Sequence, residues 1–293
     1  MSARPILLLG ASGQIGFELR RSLAPLRSIA APPRAALDLS DAAALRRAVK
    51  SLKPSLIVNA AAFTGVDDCE SGEGSRLATA VNAEAPGVLA KAAAAANIPL
   101  IHYSSDYVFD GGASRPYTEN DPPAPLNAYG RSKLAGEEKI AKSGAHHLIF
   151  RTSWIYGRRG QNFLRTIQRL AREREELRVV SDQTGAPTWA RMVAEATAAV
   201  LGRCWREGAS DPLSGCGGIY HLAAAGETSW HGFAQAIVEA GGMRIPVRAV
   251  ATAEFPRPAR RPAYSVLDST KAARRFGVAL PDWREQLALC LAE

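Results

Sequence analysis

The sequence predicts an α/β protein, a doubly wound parallel sheet carrying a smaller C-terminal lobe. Short apolar runs alternate with helical segments through the first half, and a glycine-rich turn follows the first run. Ile6 to Leu9 reads as a buried strand, Gly16 to Leu23 as the helix after it, and Ser28 to Ala31 as a second strand. Helical Ala42 to Leu52 precedes the strand Leu56 to Val58, and alanine-rich Ala83 to Ala96 precedes Ile98 to Tyr103. Ala128 to Lys142 then leads into Leu148 to Arg151. Strands separated by helices of this length form βαβ units, whose crossovers cover both faces of one sheet.

Beyond Trp154 the alternation weakens, and Pro- and Gly-rich stretches appear at Asp182 to Thr188, Asp211 to Gly218 and Phe255 to Pro262. Residues 1–157 are therefore expected to form a Rossmann-type domain. Residues 189–224 return to it through a helix at Arg191 to Leu201 and a strand at Gly218 to Leu222. Residues 158–188 and 225–293 are left as the smaller lobe. Arg158 to Arg178 reads as one basic amphipathic helix over that lobe.

Composition narrows the class. Of 293 residues, 47% are hydrophobic and 22% charged, the profile of a globular protein. No apolar run reaches the roughly 18 residues that span a bilayer, and Pro5 to Gly10 is too short for a secretion signal. The four cysteines show no metal-finger spacing, so reduced thiols in the cytoplasm are expected. The net charge of +8 comes from scattered arginines not interleaved with aromatics. It suits a small phosphorylated substrate rather than nucleic acid.

Gly10, Gly13, Gln14, Ile15 and Gly16 follow the first strand and open a helix, as Gly10-Ala11-Ser12-Gly13-Gln14-Ile15-Gly16. Glycines there allow a tight turn and let backbone N–H groups approach a pyrophosphate at the positive helix end. The ribose-binding acid expected about 20 residues on, which favours NAD, is missing. The second strand runs instead into Pro32-Pro33-Arg34, and Arg34 suits the 2′-phosphate of NADPH, with NADH left open. Asp38 and Leu39 are candidates for the adenine end, Asp38 equally for a helix cap. Ala62, Phe63 and Thr64 lie at the third strand's C-terminal edge, where ligands bind in such sheets.

Tyr129 and Lys133 are four residues apart on a helix, on one face. An ammonium near a phenol favours the phenolate, making Tyr129 a proton donor tuned by Lys133. Upstream, Ser104, Ser105 and Asp106 end the fourth strand, where Ser105 can bond a substrate carbonyl.

Together these elements resemble the extended short-chain dehydrogenase/reductase superfamily, and within it the dTDP-4-dehydrorhamnose reductase family. The resemblance is carried by Asn59 to Asp67, Tyr103 to Phe109, Pro125 to Glu137, Arg151 to Gly157, Asp182 to Thr188 and Arg261 to Asp268. It implies hydride transfer from NADPH to the 4-keto carbon of a dTDP-linked 6-deoxy-4-ketohexose. Tyr129 would donate the proton, Lys133 would lower its pKa and hold the nicotinamide ribose, and Ser105 would bond the reacting oxygen. Asp106 and Trp154 would position the sugar, with Trp154 equally readable as a core aromatic between lobes. Apart from the resemblance, the pyrophosphate can be met by the arginines of the 158–178 segment or by Arg257, Arg260 and Arg261 in the proline-rich loop, Arg261 first among them.

Related readings are a nucleotide-sugar dehydratase, a 4-epimerase and a talose-forming reductase. A dehydratase wants an Asp-Glu pair, but Tyr107 follows Asp106. A non-catalytic rival is the regulatory β subunit of methionine adenosyltransferase, which shares the strand and the Tyr-x-x-x-Lys. Reductases of this family can also pair as homodimers around a magnesium ion held by three glutamates. Glu18 and Glu293 match two of those positions, but Arg191 stands at the third, so no bound magnesium is expected.

Overall fold

The computed structural model describes residues 4–293. Six parallel strands form the central sheet in the order β10-β5-β4-β3-β1-β2. In chain order the first half runs β1 (Ile6–Leu9), α1 (Gln14–Leu23), β2 (Ile29–Ala30), α2 (Ala42–Leu52), β3 (Leu56–Asn59), α3 (Gly72–Ala78) and α4 (Ala85–Ala95). It continues with β4 (Leu100–Ser105), α5 (Ala128–Ala141) and β5 (His147–Thr152). β1 is apolar throughout because helices cover both sheet faces. Leu8, Val58 and Phe150 pack on one side with Leu19 and Val193, whereas Leu7, Ile57 and Ile149 pack on the other with Leu45 and Leu89.

Strand order reverses between β1 and β3, so the crevice beyond their carboxyl ends is the ligand position that this topology offers. The two strands approach closely there: Ala60 N–H donates to Leu9 O at 3.0 Å. Gly10, at φ +77°, has no room for a Cβ, which would lie 2.5 Å from Ala61 N.

The second half adds β6 (Ile155–Tyr156), α6 (Phe163–Glu173), β7 (Leu177–Val180), β8 (Thr184–Gly185), β9 (Thr188–Trp189), α7 (Ala190–Cys204) and β10 (Gly218–His221). β11 (Thr228–Ser229), α8 (Trp230–Ala240), β12 (Val247–Val250), α9 (Thr270–Phe276) and α10 (Trp283–Ala292) complete it. α7 contributes Val193, Val200 and Leu201 to the core beside α1, and β10 pairs with β5. A second core, around Tyr156, Ile167, Phe233, Ile237 and Trp283, lies under β7 and β12.

Two readings of local structure change. Arg158 to Arg178 is not one helix: α6 starts only at its cap Asn162, which accepts from Arg165 N–H, and Leu177–Val180 pairs with β12. Asp38 is not the cap of α2 either. Asp41 accepts from Ala43 and Ala44, while Asp38 accepts from Ser40 in the preceding turn. The cysteines are free and buried, and no described helix is long and apolar enough to cross a membrane.

α5 is locked to the sheet by a buried ion pair. Arg151 on β5 forks onto Glu137, with Nη2 at 2.6 Å from Oε2 and Nε at 3.0 Å from Oε1. Arg151→Met should cost about 3–5 kcal/mol, because it leaves the Glu137 charge buried and alone. Urea melts should find most of that loss recovered in the double variant Arg151→Met/Glu137→Gln.

Candidate active site

The cradle is built at the start of α1. Gly13 N–H donates to Gly10 O at 2.9 Å, closing the turn. The helix begins at an N-cap glycine without a side-chain cap and with no acid in its first turn. The N–H groups of Gln14, Ile15 and Gly16 therefore have no intrahelical acceptor, the arrangement that accepts a phosphate. A Cβ on Gly16 would fall 2.0 Å from Gly10 O, so the third glycine is a packing requirement. The Gln14 side chain is used elsewhere, accepting from Asn162 at 2.9 Å.

Past β2, Arg34 is exposed and 3.9 Å from Asp38, a cation free to turn toward a 2′-phosphate. Leu39 packs against the core and presents no polar group. Ala62 and Thr64 flank Phe63, whose backbone is clamped at both ends. Its N–H donates to Asn82 Oδ1 at 2.8 Å, and its carbonyl accepts from Asn82 Nδ2 at 3.0 Å. The same Nδ2 donates to Ser132, beside Lys133. Asn82 lies in a wide turn, Thr79–Glu84, between α3 and α4. Sequence reading missed it, since a wide turn inside an alanine-rich helix leaves no periodic mark.

Asn127 caps α5 through Gly130 N–H at 2.8 Å and donates to Arg260 O at 2.8 Å. A Cβ on Gly130 would lie 2.1 Å from Tyr107 O, so the helix start presses on the strand end that carries Ser105. The Tyr129 ring lies against that same strand end, meeting Tyr107 edge-on at 5.8 Å.

Burial raises the Tyr129 phenol, and the Lys133 ammonium bonds a carbonyl rather than the phenol. This corrects the expectation of an ammonium beside the phenol. Lys133 is 1% exposed and donates to Tyr103 O at 2.6 Å, and burial brings its pKa down to about 8.

Asp106 and Ser104 also depart from expectation. Asp106 is 2% exposed, and both its oxygens are taken by hydroxyls, so it holds protein rather than sugar. Burial pushes its pKa up to about 6, against those hydrogen bonds. Ser104 alternates to the interior, its hydroxyl buried and without a partner. Ser105 donates to Asp106 at 2.9 Å, so its hydrogen is already in use within the protein.

A cleft of about 1210 Å³ opens beyond, lined by α6, β7, Trp230 and the proline-rich loop from Phe255 to Arg261. Arg261 forks onto Asp67 at 2.8 and 2.9 Å, so it braces the cleft and is not a free anion ligand. Among the described residues, Arg174, Arg257 and Arg260 line the cleft without a carboxylate partner. Trp154 stacks on Trp230 at 3.5 Å in the left-handed region, φ 45°. Such strain in a tryptophan persists only where its surroundings impose it. A Cβ on Gly185 would fall 2.4 Å from the indole.

Beside the middle of α1, Arg191 lies between two carboxylates. Its Nε donates to Glu18 at 3.0 Å, and Nη1 pairs with Glu293. A guanidinium in this position does not fit a magnesium site. No group of three metal-ligating side chains occurs among the described residues.

Residues 4–293 match the family model described as the RmlD substrate binding domain. The chain is 48% identical, over 98% of both chains, to the dTDP-4-dehydrorhamnose reductase of Burkholderia thailandensis. It belongs to the dTDP-4-dehydrorhamnose reductase family. It is 44% identical to the Escherichia coli K12 reductase over 95% of this chain and 94% of that one. The reductase structure from Clostridium acetobutylicum superposes with a TM-score of 0.91 at 35% identity, covering 98% of both chains. That from Bacillus anthracis, solved in complex with NADP, gives 0.90 at 34% identity, covering 100% of this chain and 99% of that one. In this reductase-family chain the cradle, with its exposed Arg34, fits the same cofactor. Arg34→Ala should weaken NADPH about tenfold and leave NADH unchanged, because one charge-assisted phosphate contact is lost. Fluorescence titration with each nucleotide checks this.

Proposed function

We propose that the chain reduces the 4-keto group of dTDP-4-dehydro-L-rhamnose to give dTDP-L-rhamnose. The observation that carries this is Tyr129 held against the strand end that bears Ser105, beside a large arginine-lined cleft, in a chain nearly half identical to a reductase of that name. NADPH, when bound on the Gly10–Gly16 turn with Arg34 and Asp38 at its adenosine end, supplies the hydride.

The chain's own residues then handle the oxygen and its proton. A donor must be protonated at working pH, and burial keeps Tyr129 so. As the sugar oxygen gains charge, Tyr129 gives it the phenol hydrogen. Lys133, one turn along the same face, acts on the cofactor rather than on the phenol. It holds the strand at Tyr103 with one N–H and keeps two donors for a ribose.

Residues 158–188 and 225–293 serve as the substrate lobe. The Trp154–Trp230 stack gives the sugar an apolar wall, and Arg174, Arg257 and Arg260 are the cations for its pyrophosphate. Any dimer the chain forms is held without a bridging metal, since Arg191 supplies the positive charge between Glu18 and Glu293.

The test follows NADPH oxidation with the keto sugar generated in situ. Tyr129→Phe should lose about 10²–10⁴ in kcat, the usual worth of a positioned acid. Tight NADPH binding with no turnover would sink the reductase reading and favour a binding subunit. Excess EDTA should leave activity unchanged; loss restored by magnesium would refute the metal-free arrangement.

A further inference from the structure

Asn162 joins two helices that lie 148 residues apart in the chain at their point of contact. Its Oδ1 accepts from Arg165 N–H at 3.1 Å and so caps α6. Its Nδ2 shares two hydrogens among Gln14 Oε1 at 2.9 Å, Gly157 O at 2.8 Å and Arg159 O at 3.0 Å. A backbone N–H faces the amide oxygen and two backbone carbonyls face the nitrogen, so the main chain settles which way the amide points. Gln14 is the first residue of α1, in the turn that offers its N–H groups to a phosphate. A second contact lies one turn on, where the Arg159 guanidinium stands 3.8 Å from the Phe17 ring centroid. We propose that Asn162 is a positioning residue that, through Gln14, couples cofactor binding on α1 to the substrate cleft. What occupies the cleft rests on the reductase reading above; the coupling needs only the cofactor.

α6 carries the link into the cleft. Phe163, Thr166, Ile167 and Leu170 line it from this helix, and the Phe163 ring lies 4.6 Å from that of Trp230. Asn162 sets the first turn of α6 twice over, because its own carbonyl also accepts from Thr166 N–H at 3.0 Å. One residue thus touches the element that receives the cofactor pyrophosphate and starts the element that walls the sugar nucleotide.

The first N–H groups of α1 have no acceptor within the helix. A phosphate bound there fixes the Gly10–Gly16 turn, and with it the Gln14 oxygen on which Asn162 rests. Ordering gained at α1 then need not be gained again at the start of α6. Each ligand lowers the entropic cost of binding the other, and the effect is reciprocal.

The first test uses NADP⁺ alone. Amide hydrogen exchange over Phe163 to Leu170 is followed by mass spectrometry, with and without saturating NADP⁺, in wild type, Gln14→Met and Asn162→Ser. Gln14→Met keeps the backbone N–H of the cradle and removes the tethering oxygen. Asn162→Ser keeps a good helix cap but is too short to reach Gln14. NADP⁺ should slow exchange about fivefold in wild type, the low end of such couplings. In both variants that ratio should fall to about one while NADP⁺ still binds. A purely structural cap predicts otherwise, so a wild-type ratio in either variant overturns the proposal. Exchange in wild type that ignores NADP⁺ overturns it as well. Where one variant fails to fold or to bind NADP⁺, the other decides. The second test is the Kd of dTDP, which should tighten about fivefold with NADP⁺ in wild type and in neither variant. A dTDP affinity that NADP⁺ leaves unchanged in wild type overturns the coupling to the cleft. No dTDP binding at all counts against the reductase reading instead, and the exchange ratios then decide this inference alone.

Discussion

The ion pair between Arg151 and Glu137 fixes the one helix whose position the chemistry depends on. Glu137 lies one turn beyond Lys133 and two beyond Tyr129 on α5, and Arg151 sits in register with Ser104 on the neighbouring strand. The pair therefore sets how far α5 can slide along the strand that ends in Ser105. Such a pair offers little net stability over an apolar replacement, and its worth here is registry. Asn127 at the helix start and the close contact of Gly130 with Tyr107 O hold the other end. Within those limits Tyr129 is held against a strand end from a distant part of the chain.

The C-terminal segment closes the arrangement from the other side. Arg260 accepts from the cap of α5, Arg261 forks onto Asp67, and Ser265 reaches Asp106. Three successive tethers join a proline-rich loop of the smaller lobe to the sheet's ligand edge. The wall of the cleft and the burial of Asp106 are thus consequences of one docking event. A chain that folded its first half alone would have the motifs without that wall.

Much of this was legible in the sequence, for physical reasons. Strand and helix periods survive in linear order, so α2 and the starts of β1, β3 and α5 fall where the pattern put them. The glycine cradle and the Tyr129–Lys133 spacing are local geometry, written within a single turn. Pairings over long separations were not legible. Asp67 with Arg261 and Asp106 with Ser265 depend on how two lobes meet, and serine is too common to be noticed alone. Lys133 shows a further limit. Spacing placed it on the face of Tyr129, but burial and a carbonyl decided where its ammonium points.

Trp154 shows how an active wall can be specified by a residue with no side chain. Its indole occupies the space that any Cβ at Gly185 would need. β8 carries that glycine and is paired to β11, so the backbone there has little freedom to retreat. The identity of residue 185 therefore fixes where the indole lies as firmly as the tryptophan itself does. Drift at that position would displace the Trp154–Trp230 stack while leaving the central sheet in place.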